Sequence, residues 1–241
     1  MSFERSGQGI GAGAEPPPAS PPAGAPPSTV PAQVRLQILS TEHWSLLASR
    51  SLAWNESFAR AGMFLTTLSG ATVALALVAQ ASAFDQRFIL FALVILPIAL
   101  FVGIATFLRM GAANWHDARC VEGMNRIRGA YLEIAPELRP YFVMSANDDA
   151  RGIGISMGLP PGRTQLVHLL SAAPMMVMAL NSILVAVIVA LAAVELGASV
   201  PPALGLAAVA FLSAAALHMR HARRDVARGP RSLRPLFPTP G

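Results

Sequence analysis

The chain contains one cysteine, Cys120, and none of its eighteen basic residues is a lysine. A single thiol cannot close a disulfide within the chain or supply a Cys-based metal site, so a covalent framework and an internal redox pair are excluded. Charged residues are only 13% of the 241 positions, well below what a soluble domain of this size shows. The net charge of +5 could suggest nucleic acid as a partner, but the arginines follow membrane topology instead, and no nucleic acid is expected. HExxH, GxSxG, Walker-type, paired CxxC and GxGxxG motifs are all missing. Gly152, Gly154 and Gly158 have the wrong spacing for the last of these and follow no strand. No buried acid–base pair can be assembled, so the chain reads as a non-enzyme with no cofactor and no metal.

What is present is apolar length. Mean hydropathy is +0.51 and 54% of residues are hydrophobic, a composition that belongs in a bilayer. Residues 61–84 and 88–108 form two runs without a charge, parted only by Asp85, Gln86 and Arg87. About 20 helical residues cross a ~30 Å hydrocarbon core, so each run predicts a spanning helix and the pair a membrane hairpin. A second hairpin is predicted over residues 171–218, with Ser171 as N-cap, Pro174 in the first turn, and Pro201 and Pro202 starting the last span. The first span lies too deep and is too long for a cleavable signal peptide, and is expected to act as an uncleaved anchor. All-arginine basicity beside heavy Ala, Gly and Pro usage points to a high-GC bacterial genome.

The fold class expected is all-α: a polytopic membrane protein with four transmembrane helices in two hairpins and a cytoplasmic helical stalk. Five segments follow. Residues 1–32 form a disordered Pro/Gly/Ala-rich tail; 33–135 a cytoplasmic helix, the first hairpin and a second cytoplasmic helix; 136–170 a loop; 171–218 the second hairpin; 219–241 a basic tail. The first helix is predicted to start at Ser40 as N-cap, and the second to run past Arg109 until Pro136 stops it. Trp44, Leu47 and Trp54 are expected to pack on Trp115, Ile127 and Tyr131 in the stalk. Tyr141, Phe142, Val143 and Met144 are expected to be buried against the stalk or the headgroup region. Asp148 and Asp149 read as a solvated turn beginning at Asn147.

Within the spans, Gly62, Thr66, Gly70 and Ala74 recur every fourth residue and offer a small-residue face for helix packing, and Asn181 is expected to find a partner across a helix interface. Pro97 removes a hydrogen bond to Leu93. His116 and Cys120, four apart, share a helical face but cannot close a tetrahedral metal site alone. Arginines number four before the first span, one in the first turn, seven in the middle loop, none in the second turn and six in the tail. By the positive-inside rule both termini and the middle loop are cytoplasmic. Arg220, Arg223, Arg224 and Arg228 are expected to lie on anionic lipid headgroups.

The segment from Gly123-Met124-Asn125-Arg126 through Ala135-Pro136-Glu137-Leu138, followed by Pro140-Tyr141-Phe142 and Asp148-Asp149, resembles a family of bacterial four-span integral membrane proteins to which no activity is assigned. So does the stretch from Glu42-His43-Trp44 through Ala61-Gly62-Met63. The arrangement of cytoplasmic helix, membrane hairpin and further helix is also similar to SLATT-type membrane-hairpin proteins, which implies pore formation; the second hairpin departs from that pattern. The function expected is a non-enzymatic inner-membrane protein that self-associates as a homo-oligomer and presents a cytoplasmic helical region to protein or lipid. The alternative is a pore or small-solute transporter built on Thr66, Ser69, Asn181 and Pro97.

Overall fold

The computed structural model describes residues 30–158, 173–228 and 234–240, with side chains described throughout these except at 225–228. The expected Ser171 cap, the 1–29 tail and residues 159–172 lie outside them. All regular structure among the described residues is helical: α1 (Ala32–Ser82), α2 (Gln86–Ile134), a 3-10 segment (Pro136–Tyr141), α3 (Ala150–Ser156), α4 (Ala173–Glu195) and α5 (Val200–Arg228). α1, α2, α4 and α5 are each long and apolar enough to cross a membrane.

α1 begins eight residues before the expected cap. Pro31 occupies its N-cap position without a side-chain hydrogen bond, and the run from Ala32 to Leu39 contains good helix formers and no glycine or proline to delay the start. Ser40 therefore lies inside the helix. The helix ends where Ala83 and Phe84 take left-handed conformations, φ 51° and 61°, each costing about 1–2 kcal/mol without a glycine. Asp85 then caps α2, its carboxylate accepting from the N–H groups of Arg87 (2.9 Å) and Phe88 (3.3 Å). Three residues thus reverse the chain, and α2 returns along α1.

α2 continues without interruption through Pro97 and Arg109 to Ile134. At ~1.5 Å per residue its 49 residues reach about 74 Å, more than twice a hydrocarbon core. It stops as the sequence predicts: Ala135, forced out of the helical region by Pro136, sits at φ −140°, ψ 76°.

Contacts between α1 and α2 hold one antiparallel register over this length. Phe64 lies opposite Gly103, Glu56 opposite Arg109, Arg50 opposite Asp117 and Leu46 opposite Gly123. α2 is the central rod, with α1 along one side and α4 along another, while α5 packs mainly on α4. The apolar core joins Phe64 and Ala71 of α1 to Ala92, Leu96, Ala99, Phe107 and Met110 of α2 and to Val177 and Leu184 of α4. On α2 these, with Gly103 between Ala99 and Phe107, fall at spacings of three and four, one continuous stripe. Gly103 belongs to the same stripe: a Cβ there would meet the Asn181 Oδ1 atom and come within 2.7 Å of the Phe64 ring. That close approach is what admits both side chains.

Candidate interaction site

Polar chemistry concentrates where α1 and α2 leave their apolar halves. The first rung is an ion pair: Arg109 donates through Nε and Nη2 to Glu56 at 2.9 and 3.0 Å, with Arg60 on the same carboxylate at 3.0 Å. The two guanidinium groups, Arg109 foremost, hold the Glu56 carboxyl down to about 2. Two turns further out, Asp117 is buried at 2% exposure. It accepts from Arg50 Nε at 2.5 Å and from the Trp54 indole N–H at 3.1 Å. Next to it Cys120 is buried, and burial together with the Asp117 charge raises its thiol above the ordinary range, making it a poor nucleophile. Its contact with His116 Nε2 is 3.6 Å. No group of three metal-ligating side chains occurs among the described residues.

At the far end of α2 the middle segment is fastened by Asn125, which is fully buried. Its amide donates to the Asn147 carbonyl at 2.8 Å, and its oxygen accepts from Arg128 Nη1 (2.7 Å) and the Ser156 hydroxyl (2.9 Å). Asp149 caps α3 by accepting from the Gly152 N–H at 2.8 Å. Gly152 is required here because a Cβ would strike the Asn147 carbonyl oxygen.

Asp148 is not in a solvated turn. Its residue exposure is 3%, and Arg126 Nε donates to it at 2.5 Å. The remaining acceptor capacity is filled by the C-terminal segment: the N–H groups of Leu236 and Phe237 donate to its two oxygens at 2.9 and 2.8 Å. The Asp148 N–H donates back to the Phe237 carbonyl at 3.1 Å. Burial pushes this carboxyl up, but the bonds from Leu236, Arg126 and Phe237 outweigh it and hold the group below the usual range. Thr239 donates to Asp149 through its N–H and hydroxyl at 2.8 and 2.9 Å. The Phe237 ring lies on Gly129, where a Cβ would stand 2.6 Å from it. Nothing near residue 148 announces this; the only local cue is an apolar, proline-spaced Leu-Phe-Pro-Thr-Pro ending on an otherwise basic tail.

The predicted stalk residues divide. Ile127 is buried, and Tyr131 is half-buried, stacked on His43 at 6.3 Å between ring centroids. Trp54 is engaged by Asp117, but Trp44 is 68% exposed and Leu47 and Trp115 also face outward. The contacts instead run through His43, Leu46, Arg50 and Ser57, one helical step away from the aromatic stripe. Tyr141, Val143 and Met144 are exposed and Phe142 is half-buried, so the run is not buried against the stalk, because Asn125 and Asp148 draw residues 145–156 onto α2 and leave the preceding run outside.

In the apolar half, Gly62 and Gly70 face open space and Thr66 is exposed, with Ala74 half-buried. Within the chain, α2 meets the neighbouring face of α1 at Ala61, Phe64 and Ala71. Asn181 is fully buried, its amide 3.5 Å from His218 Nε2. His218 Nδ1 lies 2.8 Å from the Ala214 carbonyl and must be its protonated nitrogen, leaving Nε2 as acceptor. Thr66, Ser69 and Pro97 are exposed on the outside of the bundle, so the four residues considered for a permeation path are not brought together. Arg220, Arg223 and Arg224 are exposed at the end of α5, and the Arg228 side chain lies outside those described. No protein-family model, curated protein or solved structure matches this chain.

Proposed function

We propose that this is a four-span protein of the bacterial cytoplasmic membrane that does no chemistry of its own and works by presenting a helical stalk. In this reading the apolar halves of α1 and α2, with α4 and α5, form two membrane hairpins. The polar halves of α1 and α2, the middle segment and the C-terminal segment stand together on the cytoplasmic side. The observation that carries it is the division of charge along α1 and α2: apolar groups point outward in both halves, but among the described residues the ion pairs between these helices lie in only one. In their apolar halves large hydrophobic groups point outward, among them Val73 (60% exposed), Leu77 (62%), Val94 (64%) and Phe101 (73%); the bridges of Glu56, Asp117 and Asp148 all lie in the other half. Water would make the first surface an aggregation site, whereas hydrocarbon is its matching solvent. Along the sequence, seventeen of eighteen arginines lie before the first span, between the two hairpins or after the last span, and one lies in a short turn.

Self-association belongs to the same proposal. The open Gly62, Thr66 and Gly70 face lets the backbone of a second copy approach α1 closely, as small residues do in lipid. The outward Trp44 and Leu47 are available to a protein partner, and Arg220, Arg223 and Arg224 to anionic headgroups. Alkaline phosphatase fused after residue 158 should be inactive and green fluorescent protein at the same site bright. The reverse pattern would overturn the assigned orientation.

A further inference from the structure

The C-terminal segment is held in the manner of a bound peptide rather than a packed element. Its backbone supplies most of the contacts: three N–H groups donate to two carboxylates, and its carbonyls accept from the Asp148 N–H and from Asn147 Nδ2, which reaches Phe237 O at 3.3 Å and Pro238 O at 3.1 Å. Two side chains are read. The Phe237 ring takes the groove at Gly129, and the Thr239 hydroxyl takes Asp149. Leu236, by contrast, is 66% exposed and contributes only its N–H. Pro238 has no N–H to satisfy and stands between two read positions. With Pro235 and Pro240 it fixes φ at three of the seven positions, which lowers the entropy lost on binding. Main-chain hydrogen bonds for affinity and alternating side-chain pockets for selection are the features of a peptide-recognition groove.

We propose that the turn of residues 147–149 together with the Gly129 groove of α2 is a recognition site for an aromatic–proline–threonine peptide bent at its aromatic residue so that two successive N–H groups meet one carboxylate, filled in cis by residues 237–239 and able to take the same segment from a second copy of this chain. Among the described residues the groove's tail contacts are made by 234–240, and such contacts are the same for a copy's own tail and its neighbour's, which makes exchange a low-cost route. A cavity of about 150 Å³, lined by Leu132, Glu133, Arg139, Ala146 and Asn147, adjoins the Phe237 ring. The groove therefore has room for a larger aromatic at that position. The inference deepens the stalk reading by naming the class of partner. It concerns the groove alone and holds on whichever side of the membrane the stalk lies.

The test uses full-length detergent-solubilised protein and a fluorescein-labelled peptide with the sequence of residues 234–241. In the native chain the tethered tail is present at an effective concentration of order millimolar, so the peptide should not bind in the micromolar range. A Phe237→Ser/Thr239→Ala variant frees the groove and should bind it saturably. A scrambled peptide should not bind, and adding Asp148→Asn should weaken binding about tenfold or more, the worth of a hydrogen-bonded charge. A Trp-for-Phe peptide should bind at least as well. No binding to the freed groove, or equal binding of the scrambled peptide, overturns the proposal. Hydrogen exchange on the unaltered protein decides independently of how the variants fold. The amides of Leu236, Phe237 and Thr239 should exchange much faster than those of Val121 to Ile127 in α2. Exchange of both at one common rate would make the segment a fixed strut and end the idea.

Discussion

Asp117 offers the sharpest test of how the polar halves of α1 and α2 are held together. Its carboxylate is nearly inaccessible, with side-chain exposure of 3%, and it joins Arg50 and Trp54 of α1 to α2. Asp117→Ala leaves a guanidinium and an indole N–H without their acceptor. Breaking one side of a fully buried pair costs about 3–5 kcal/mol. Here the Arg50 side chain retains 28% exposure and Trp54 40%, so both reach water and the expected cost falls to about 2–3 kcal/mol. At ~2–4 °C per kcal/mol for a chain of this size, the melting temperature should drop by about 4–12 °C. The control is Glu56→Ala, which breaks a pair of exposed side chains (39% and 53% accessible) and should lower the melting temperature far less, because water screens that pair. Replacing both buried partners, Arg50→Leu with Asp117→Leu, should recover most of the loss, because no charge is then stranded. Melting in detergent, followed by tryptophan fluorescence, reads all three. An Asp117→Ala transition no lower than that of Glu56→Ala would refute the assignment of this bridge as the main polar tie.

Further outcomes follow from other contacts. Gly103→Ala places a methyl against Asn181 and Phe64 and should cost about 1–3 kcal/mol through overpacking, seen as a lowered melting temperature; an unchanged value would mean that α2 and α4 are not in this register. His43 is held below its ordinary 6.5 by burial first and by Arg128 second. Its neutral form therefore stabilises the fold above pH 6.5, and that contribution is lost as pH falls through the lowered folded value. Melting temperature should drop between about pH 7 and 5 in the native protein and less so in His43→Gln, and parallel curves would remove His43 as the cause. Trp44→Ser, at a side chain 68% exposed, should leave the melting temperature within the usual range of surface changes, about 0.5 kcal/mol; a shift of several degrees would show that Trp44 is covered in the assembled protein.

The long elements were readable because their causes are local. The two charge-free runs parted at residues 85–87 and Pro136 as a stop are properties of neighbouring residues, and the break between α1 and α2 and the end of α2 appear there; that Asp85 caps α2 came only with the structure. Ser40 is a good cap by chemistry, yet a helix already under way from Ala32 has no reason to begin there. Faces were harder to assign than lengths. The aromatic stripe of Trp44 and Leu47 has the spacing of a packing face, but in antiparallel rods the face that meets is fixed by register. The register here is set by Phe64 on Gly103 and Arg50 on Asp117. One step of helical rotation turns Leu46 inward against Gly123 and leaves Trp44 outside.

By itself, then, the amino-acid sequence determined the class of molecule: four helices long and apolar enough to cross a membrane, two of them extended by charged continuations, since length, hydropathy and punctuation are summed over adjacent residues. Only the tertiary structure decided that α2 is the central rod, that Gly103 is the notch for Asn181, and that Asp148 is buried beneath a tail some ninety residues further along the chain. Those facts depend on how distant segments are placed side by side, and a carboxylate carries the same local neighbours whether it ends in water or closes on a peptide backbone.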